Sequence, residues 1–211
     1  DSRLSRGLGD VYKRQTWYLN DTSGSGIQSP FSNTASGGLS VAMGLGTTAS
    51  GQYSTAMGLE TIASGVLSVA MGHQTEACGE LSTAMGRGTI AGGYASTAMG
   101  YGTTASGNYS TAMGRGTIAS GNYSTAIGLE TTTSGGASTA MGLQTTASDR
   151  SSLVIGEYNL LGSTVTNSAT DFSLENTAFV IGNGTNSANR SDALVVKFNG
   201  DATLAGNLNI N

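Results

Sequence analysis

Residues 40–53 read SVAMGLGTTASGQY, and the same phrase returns every fourteen residues. The glycine that closes its first half is Gly44, Gly58, Gly72, Gly86, Gly100, Gly114, Gly128 and Gly142, with Gly156 last in phase. Two residues earlier stand Ala42, Ala56, Ala70, Ala84, Ala98, Ala112, Ala126 and Ala140. Between alanine and glycine lie Met43, Met57, Met71, Met85, Met99, Met113, Ile127, Met141 and Ile155. A short fixed period marks a solenoid, whose coils contact only their neighbours. A helix is disfavoured, because each interior glycine would cost about 1 kcal/mol relative to alanine. Each unit is expected to hold two short strands joined by two turns, stacked as parallel strands about 4.8 Å apart.

Alternation assigns the two faces of each strand. In the first strand Ser40, Ala42 and Gly44 point one way, Val41 and Met43 the other. In the second, Thr47, Ala49 and Gly51 point one way, Thr48 and Ser50 the other. The two small-residue faces are expected to meet inside a flattened coil that admits nothing larger than threonine. The glycine column from Gly44 to Gly142 is expected at turns, where positive φ is cheap only for glycine.

The outward face of the first strand then displays Val41 with Met43, Thr55 with Met57, Val69 with Met71, and so on through Met85, Met99, Met113, Ile127, Met141 and Ile155. Burying each such large apolar side chain is worth roughly 1.5–3 kcal/mol. A continuous apolar stripe of this length marks an interaction surface rather than a wet face. It is expected to be the interface of a homotrimer, three rolls covering one another around an axis.

Composition narrows the function classes. The 211 residues include 33 glycines but one proline and one cysteine, and only 10% are charged. Disordered chains typically carry more charge, and collagen requires glycine at every third position. The net charge of −4 comes without a basic run, so nucleic acid is not an expected partner. No apolar run reaches the roughly 18 residues of a membrane helix, and no membrane contact is expected of this segment.

The flanks differ from the repeat. Asp1 to Gln15 holds four of the nine basic residues, and SRGLGDVYKRQ (residues 5–15) resembles translated cloning-adaptor sequence, so it is set aside from fold reasoning. Residues 16–34 are expected to form a short strand at Thr16 to Asn20 followed by a Gly/Ser linker. The roll is expected over 35–156. At Asp149 an acid replaces the repeating glycine. Phe179 to Gly182 looks like one more coil, displaced by 26 residues instead of 28, so 157–177 reads as an insertion or a distorted coil pair. Ala193 to Phe198 and Ala202 to Ile210 flank Asn199-Gly200-Asp201, a hairpin signal.

Candidate chemistry is sparse. His73 is the sole histidine and falls at an expected turn, so it reads as a solvated surface group. Cys78 stands in an outward serine column and reads as a free thiol. No catalytic triad is available without that one histidine. Glu60 and Glu130 share a column but lie five coils apart, too far for an acid/base pair. Catalytic residues, metal ligands and cofactors are therefore expected to be absent. Two surface columns could offer anchors: Leu39, Tyr53, Leu67, Leu81, Ala95, Tyr109, Tyr123 and Ala137 in one, Leu45, Leu59, His73, Arg87, Tyr101, Arg115, Leu129 and Leu143 in the other. As rows flanking a turn, both are expected instead to pack between neighbouring chains, a role that Tyr and Leu fill equally well.

The tandem units Ser-Val-Ala-Met-Gly and Ser-Thr-Ala-Ile-Gly, each followed by Thr-x-Ala-Ser-Gly, resemble the head repeats of trimeric autotransporter adhesins of the YadA and haemagglutinin type. The resemblance covers residues 35–156. It implies a left-handed parallel β-roll, a trimeric head on a stalk, attachment to host matrix or cell surfaces, and an outer-membrane anchor expected in a part of the protein outside this chain. Methionine stands here where those heads more often carry isoleucine. Two other readings stay open. A Thr-rich solenoid can bind ice, though alternation turns Thr47, Thr61, Thr75 and Thr89 inward and Glu76 interrupts the outward neighbouring column. The segment from Val180 to Val196 resembles phage tail-fibre-like and bacterial surface proteins, which share fold and trimer.

Overall fold

The computed structural model describes residues 18–19, 27–28, 32–164 and 169–207. The segment set aside at residues 1–15 and the Gly/Ser stretch at 22–26 lie outside the described residues. The chain is a parallel β-solenoid of fourteen-residue coils. Nine five-residue strands, Val41–Leu45 to Leu153–Glu157, stack in register in one sheet. Nine two-residue strands, Thr34–Ala35 to Thr146–Ala147, stack in a second. Among the described residues the only helical turn is Leu161–Thr164.

The interior is as thin as the small side chains allow. Ala42, Ala56, Ala70, Ala84, Ala98, Ala112, Ala126 and Ala140 are all fully buried, as are Ala49 and its column in the facing sheet. Thr133 interrupts that facing column, and its hydroxyl donates across the core to Ser124 Oγ at 3.0 Å. The second strand is shorter than the alternation suggested. Only Thr48–Ala49 and its equivalents pair as strands, while Thr47 and Gly51 flank them, buried.

The Gly44 column requires a correction. These glycines are not at the turns and do not line the interior. Each is the fourth residue of a long strand and is exposed, Gly128 excepted, which is half-buried, with φ between +122° and +133° from Gly44 to Gly142. A Cβ at Gly100 would lie 1.9 Å from the carbonyl oxygen of Gly114 in the next coil. Stacking, as much as backbone conformation, therefore demands glycine. The Gly51 column obeys the stacking rule alone: a Cβ there would lie 2.0 Å from the Gly65 oxygen, at an ordinary φ.

The true turns sit elsewhere, and they force non-glycine residues into left-handed backbone. Leu39, Tyr53, Leu67, Leu81, Ala95, Tyr109 and Tyr123 have φ of +50° to +60°, and Glu60, Gln74, Glu130 and Gln144 have φ of +49° to +54°. This conformation costs an ordinary residue about 1–2 kcal/mol. Here each turn is held by a hydrogen bond to the preceding coil, such as Tyr53 N to Gly38 O at 2.8 Å and Glu60 N to Leu45 O at 2.8 Å. Tertiary stacking overrides the local preference.

Both ends extend the first sheet beyond the roll. Ile27–Gln28 pairs in parallel with Val41–Ala42 and antiparallel with Tyr18–Leu19, which lies in the strand expected at 16–20. At the other end Thr177–Asn183 continues in parallel register, Leu153 opposite Phe179 and Gly156 opposite Gly182. It is not a further coil, because the second sheet stops at Ala147. Asp192–Lys197 and Ala202–Leu204 follow antiparallel, making the expected hairpin; residues 208–210 of its expected second strand lie outside the described residues. Where the facing sheet ends, Val154 and Val180 replace alanine in the core.

Candidate functional site

The long strands place the Val41/Met43 face outward. Val41, Thr55, Val69 and their column through Thr139 are half-buried, as are Met43, Met57, Met71, Met85, Met99, Met113, Ile127 and Ile155, while Met141 and Leu153 are exposed. Register stacks them without interruption, Met85 on Met99 and Met99 on Met113. The stripe also runs further than the repeat suggested. Ile155 pairs with Ile181, Ile181 with Leu194, and Leu194 with Leu204. Three residues from beyond the repeat, Ile181, Leu194 and Leu204, thus continue one straight apolar row. The opposite outer face is different: Ile62, Ile90 and Ile118 are exposed, but Thr48, Glu76, Thr104 and Thr132 separate them.

The two turn columns form ladders of their own. Tyr109 and Tyr123 stack at 5.0 Å with rings 3° from parallel, and Tyr94 meets Tyr109 edge-on at 5.3 Å. Left-handed backbone at Tyr109 and Tyr123 repeats the same side-chain direction in successive coils, which brings the rings into register. In the other column the Arg87 and Arg115 guanidinium groups flank the Tyr101 ring at 5.5 and 5.8 Å. Cation–π contacts of this exposed kind contribute about 0.5–1 kcal/mol each. Glu60 and Glu130 each accept from a glutamine one coil on, Gln74 at 2.8 Å and Gln144 at 2.6 Å.

The family model of the YadA head domain repeat matches residues 35–61, 63–89, 77–103, 91–117, 105–131 and 134–157, more than half of the chain. The chain belongs to the YadA head family. No curated protein matches it.

In this YadA head domain the lone chemical groups stay apart. His73 is not in a turn; it is the last residue of the strand Val69–His73. Cys78 is a free, exposed cysteine whose Sγ lies 3.8 Å from Ala91 O. Partial burial, and then the neighbouring Glu76 carboxylate, push its thiol pKa up, which opposes nucleophile formation. Among the described residues no three His, Cys, Asp or Glu side chains group as metal ligands. The Thr47 column is buried, so it presents no surface ladder to ice.

The roles of three structural residues are not evident from the sequence. Asn33 and Asn159 occupy the Thr47 column at its two ends, and both are buried. Asn33 Oδ1 accepts from Thr47 N at 2.8 Å and from Thr47 Oγ1 at 2.7 Å, and its Nδ2 donates to Gly44 O at 2.7 Å. Along the roll each short strand's N–H donates to the next coil's carbonyl, as Thr132 N does to Thr145 O. After the last short strand Asn159 Oδ1 substitutes, accepting from Thr146 N at 2.8 Å. An asparagine at a multiple of fourteen from the threonine column was the available signal. The third is Asp149: its carboxylate accepts from Thr177 N at 2.8 Å, fixing the strand that returns after the insertion. Arg190 seals the same end, donating to Gln144 O at 2.9 Å and Asn159 O at 3.1 Å.

Proposed function

We propose that this YadA head domain is the rigid, non-enzymatic head of a homotrimeric adhesin, displayed on a bacterial surface by an outer-membrane anchor and attaching the cell to host matrix, host cells or other surfaces. The observation that carries it is the unbroken outer row from Met43 to Leu204 on a roll too thin to bury it. Val41, Met43, Thr55, Met57, Val69 and Met71, with their later equivalents through Ile155, would line the contact between chains. The adhesive role itself is supported by membership of the family.

The test is the mass of the purified chain by light scattering, with Met99→Asp beside the wild type. The wild type should run as a trimer. The variant should be monomeric or unfolded at equal concentration, because it would bring three carboxylates into a buried axis. A stable, soluble wild-type monomer contradicts the proposal.

A further inference from the structure

A cleft of about 300 Å³ opens where residues 169–170, just after the turn at Leu161–Thr164, fold back against the last repeats. Its floor and walls include Asn122, Tyr123, Ser134, Arg150, Ala169 and Thr170. The fold-back is tied down at two points. Ala169 O accepts from Gly136 N at 2.7 Å, and Thr170 O accepts from Arg150 Nη1 at 2.6 Å. The cleft is therefore built from a single chain and framed by hydrogen bonds.

Its lining has the features of a sugar site. Tyr123 is 65% exposed, the highest value among the large apolar and aromatic side chains described. One face of its ring stacks on Tyr109, which leaves the other face toward the cleft's lining. A fixed aromatic face with a negative π surface suits the C–H face of a pyranose ring. Polar donors lie beside it. In preceding coils the asparagine side chain accepts an N–H from the coil before, Asn108 Oδ1 from Tyr94 N and Asn122 Oδ1 from Asn108 N, both at 3.0 Å. Gly136 takes that place in the next coil, has no such side chain, and leaves the Asn122 N–H without an acceptor among the described residues. Arg150 donates to one carbonyl and has no ion pair among the described residues, so most of its N–H donors are available. A planar guanidinium with open donors pairs with a carboxylate through two parallel hydrogen bonds.

We infer that this cleft binds a carboxylate-bearing saccharide, with the sugar ring on Tyr123 and its carboxylate on Arg150. The volume is at the lower end for ligand pockets and matches one sugar residue of a longer glycan. The inference deepens the adhesive reading by giving it a ligand class, and rests on that reading for the glycan's place on a surface.

The experiment is calorimetric titration of the full chain with a hyaluronan hexasaccharide and with its carboxyl-reduced counterpart. Light scattering and a circular-dichroism melt are recorded on the same samples. The wild type should bind the carboxylated form about tenfold more tightly, the discrimination of one charged hydrogen-bonded contact. Tyr123→Ala should weaken binding at least about tenfold, while Tyr123→Phe keeps it, since the ring face is retained. Arg150→Gln should erase the preference for the carboxylate. Tyr53→Ala, in the same turn column but far from the cleft, should bind as the wild type does. A folded wild type that binds neither saccharide, shows no carboxylate preference, or is unaffected by Tyr123→Ala overturns the inference. A trimer without saccharide binding sinks the cleft alone, and a saccharide-binding monomer sinks the trimer alone.

Discussion

Ala95 shows what the roll asks of individual residues. It occupies a turn at φ +50°, where a Cβ is penalised by about 1–2 kcal/mol, and its N–H is held by Glu80 O at 2.8 Å. Ala95→Gly removes the penalty but gives the unfolded chain about 0.4–1 kcal/mol more entropy. The penalty is the larger, so the variant should be more stable by about 0.5–1 kcal/mol in urea denaturation. A loss of stability would show that the turn carries no strain. Inside the roll, Thr103 has a buried hydroxyl without a hydrogen-bond partner, as do Thr61, Thr75, Thr89, Thr117, Thr131 and Thr145. Thr47 differs because Asn33 accepts its hydroxyl. Thr103→Val keeps the shape and removes an unmet polar group, so it should stabilise by about 1 kcal/mol. The same exchange at Thr47 should destabilise, and equal effects at both sites would contradict the assignment. Comparing the thermal melts of the two variants decides it.

At the scale of elements, the ends of the roll are held by side chains that replace missing backbone partners. Asp149 stands where earlier coils have glycine, and it supplies the acceptor for Thr177 N at 2.8 Å. Asp149→Gly restores the repeat but strips that buried donor of its partner, a cost of about 1–3 kcal/mol. Amide exchange should therefore speed up across 177–183 while the central coils stay protected. Unchanged exchange there would show that the carboxylate does not hold the returning strand. These end devices were only partly legible. The coil period, the buried alanines and the outward Met column follow from alternation, because side-chain period and fold period coincide. The glycine column in the strand was misplaced because its cause is not local. The carbonyl of the next coil occupies the space a Cβ would need, and no reading of one unit contains that neighbour. The bulky left-handed turns at Tyr53 and Leu67 were hidden for the same reason, since the hydrogen bond that compensates them comes from the coil before. The cleft was out of reach, because it depends on residues 169–170 meeting Gly136 across more than two repeats.

At the scale of the molecule, two outer faces compete to be the assembly surface. One carries the half-buried Met and Ile row, continued by Ile181, Leu194 and Leu204 through a change from parallel to antiparallel pairing. The other carries isolated exposed isoleucines broken by Glu76. Burying a carboxylate without a partner costs several kcal/mol, whereas burying each Met or Ile gains roughly 1.5–3 kcal/mol. The first face should therefore be the one that meets other chains. The most direct measurement is oxidative cross-linking in a Cys78→Ser background, with a single cysteine introduced by Met99→Cys or, on the other face, by Ile90→Cys. Met99→Cys should give disulfide-linked dimers on a non-reducing gel, because a threefold axis brings equal heights together, and Ile90→Cys should stay uncrosslinked. Cross-links from Ile90→Cys and none from Met99→Cys would contradict the account.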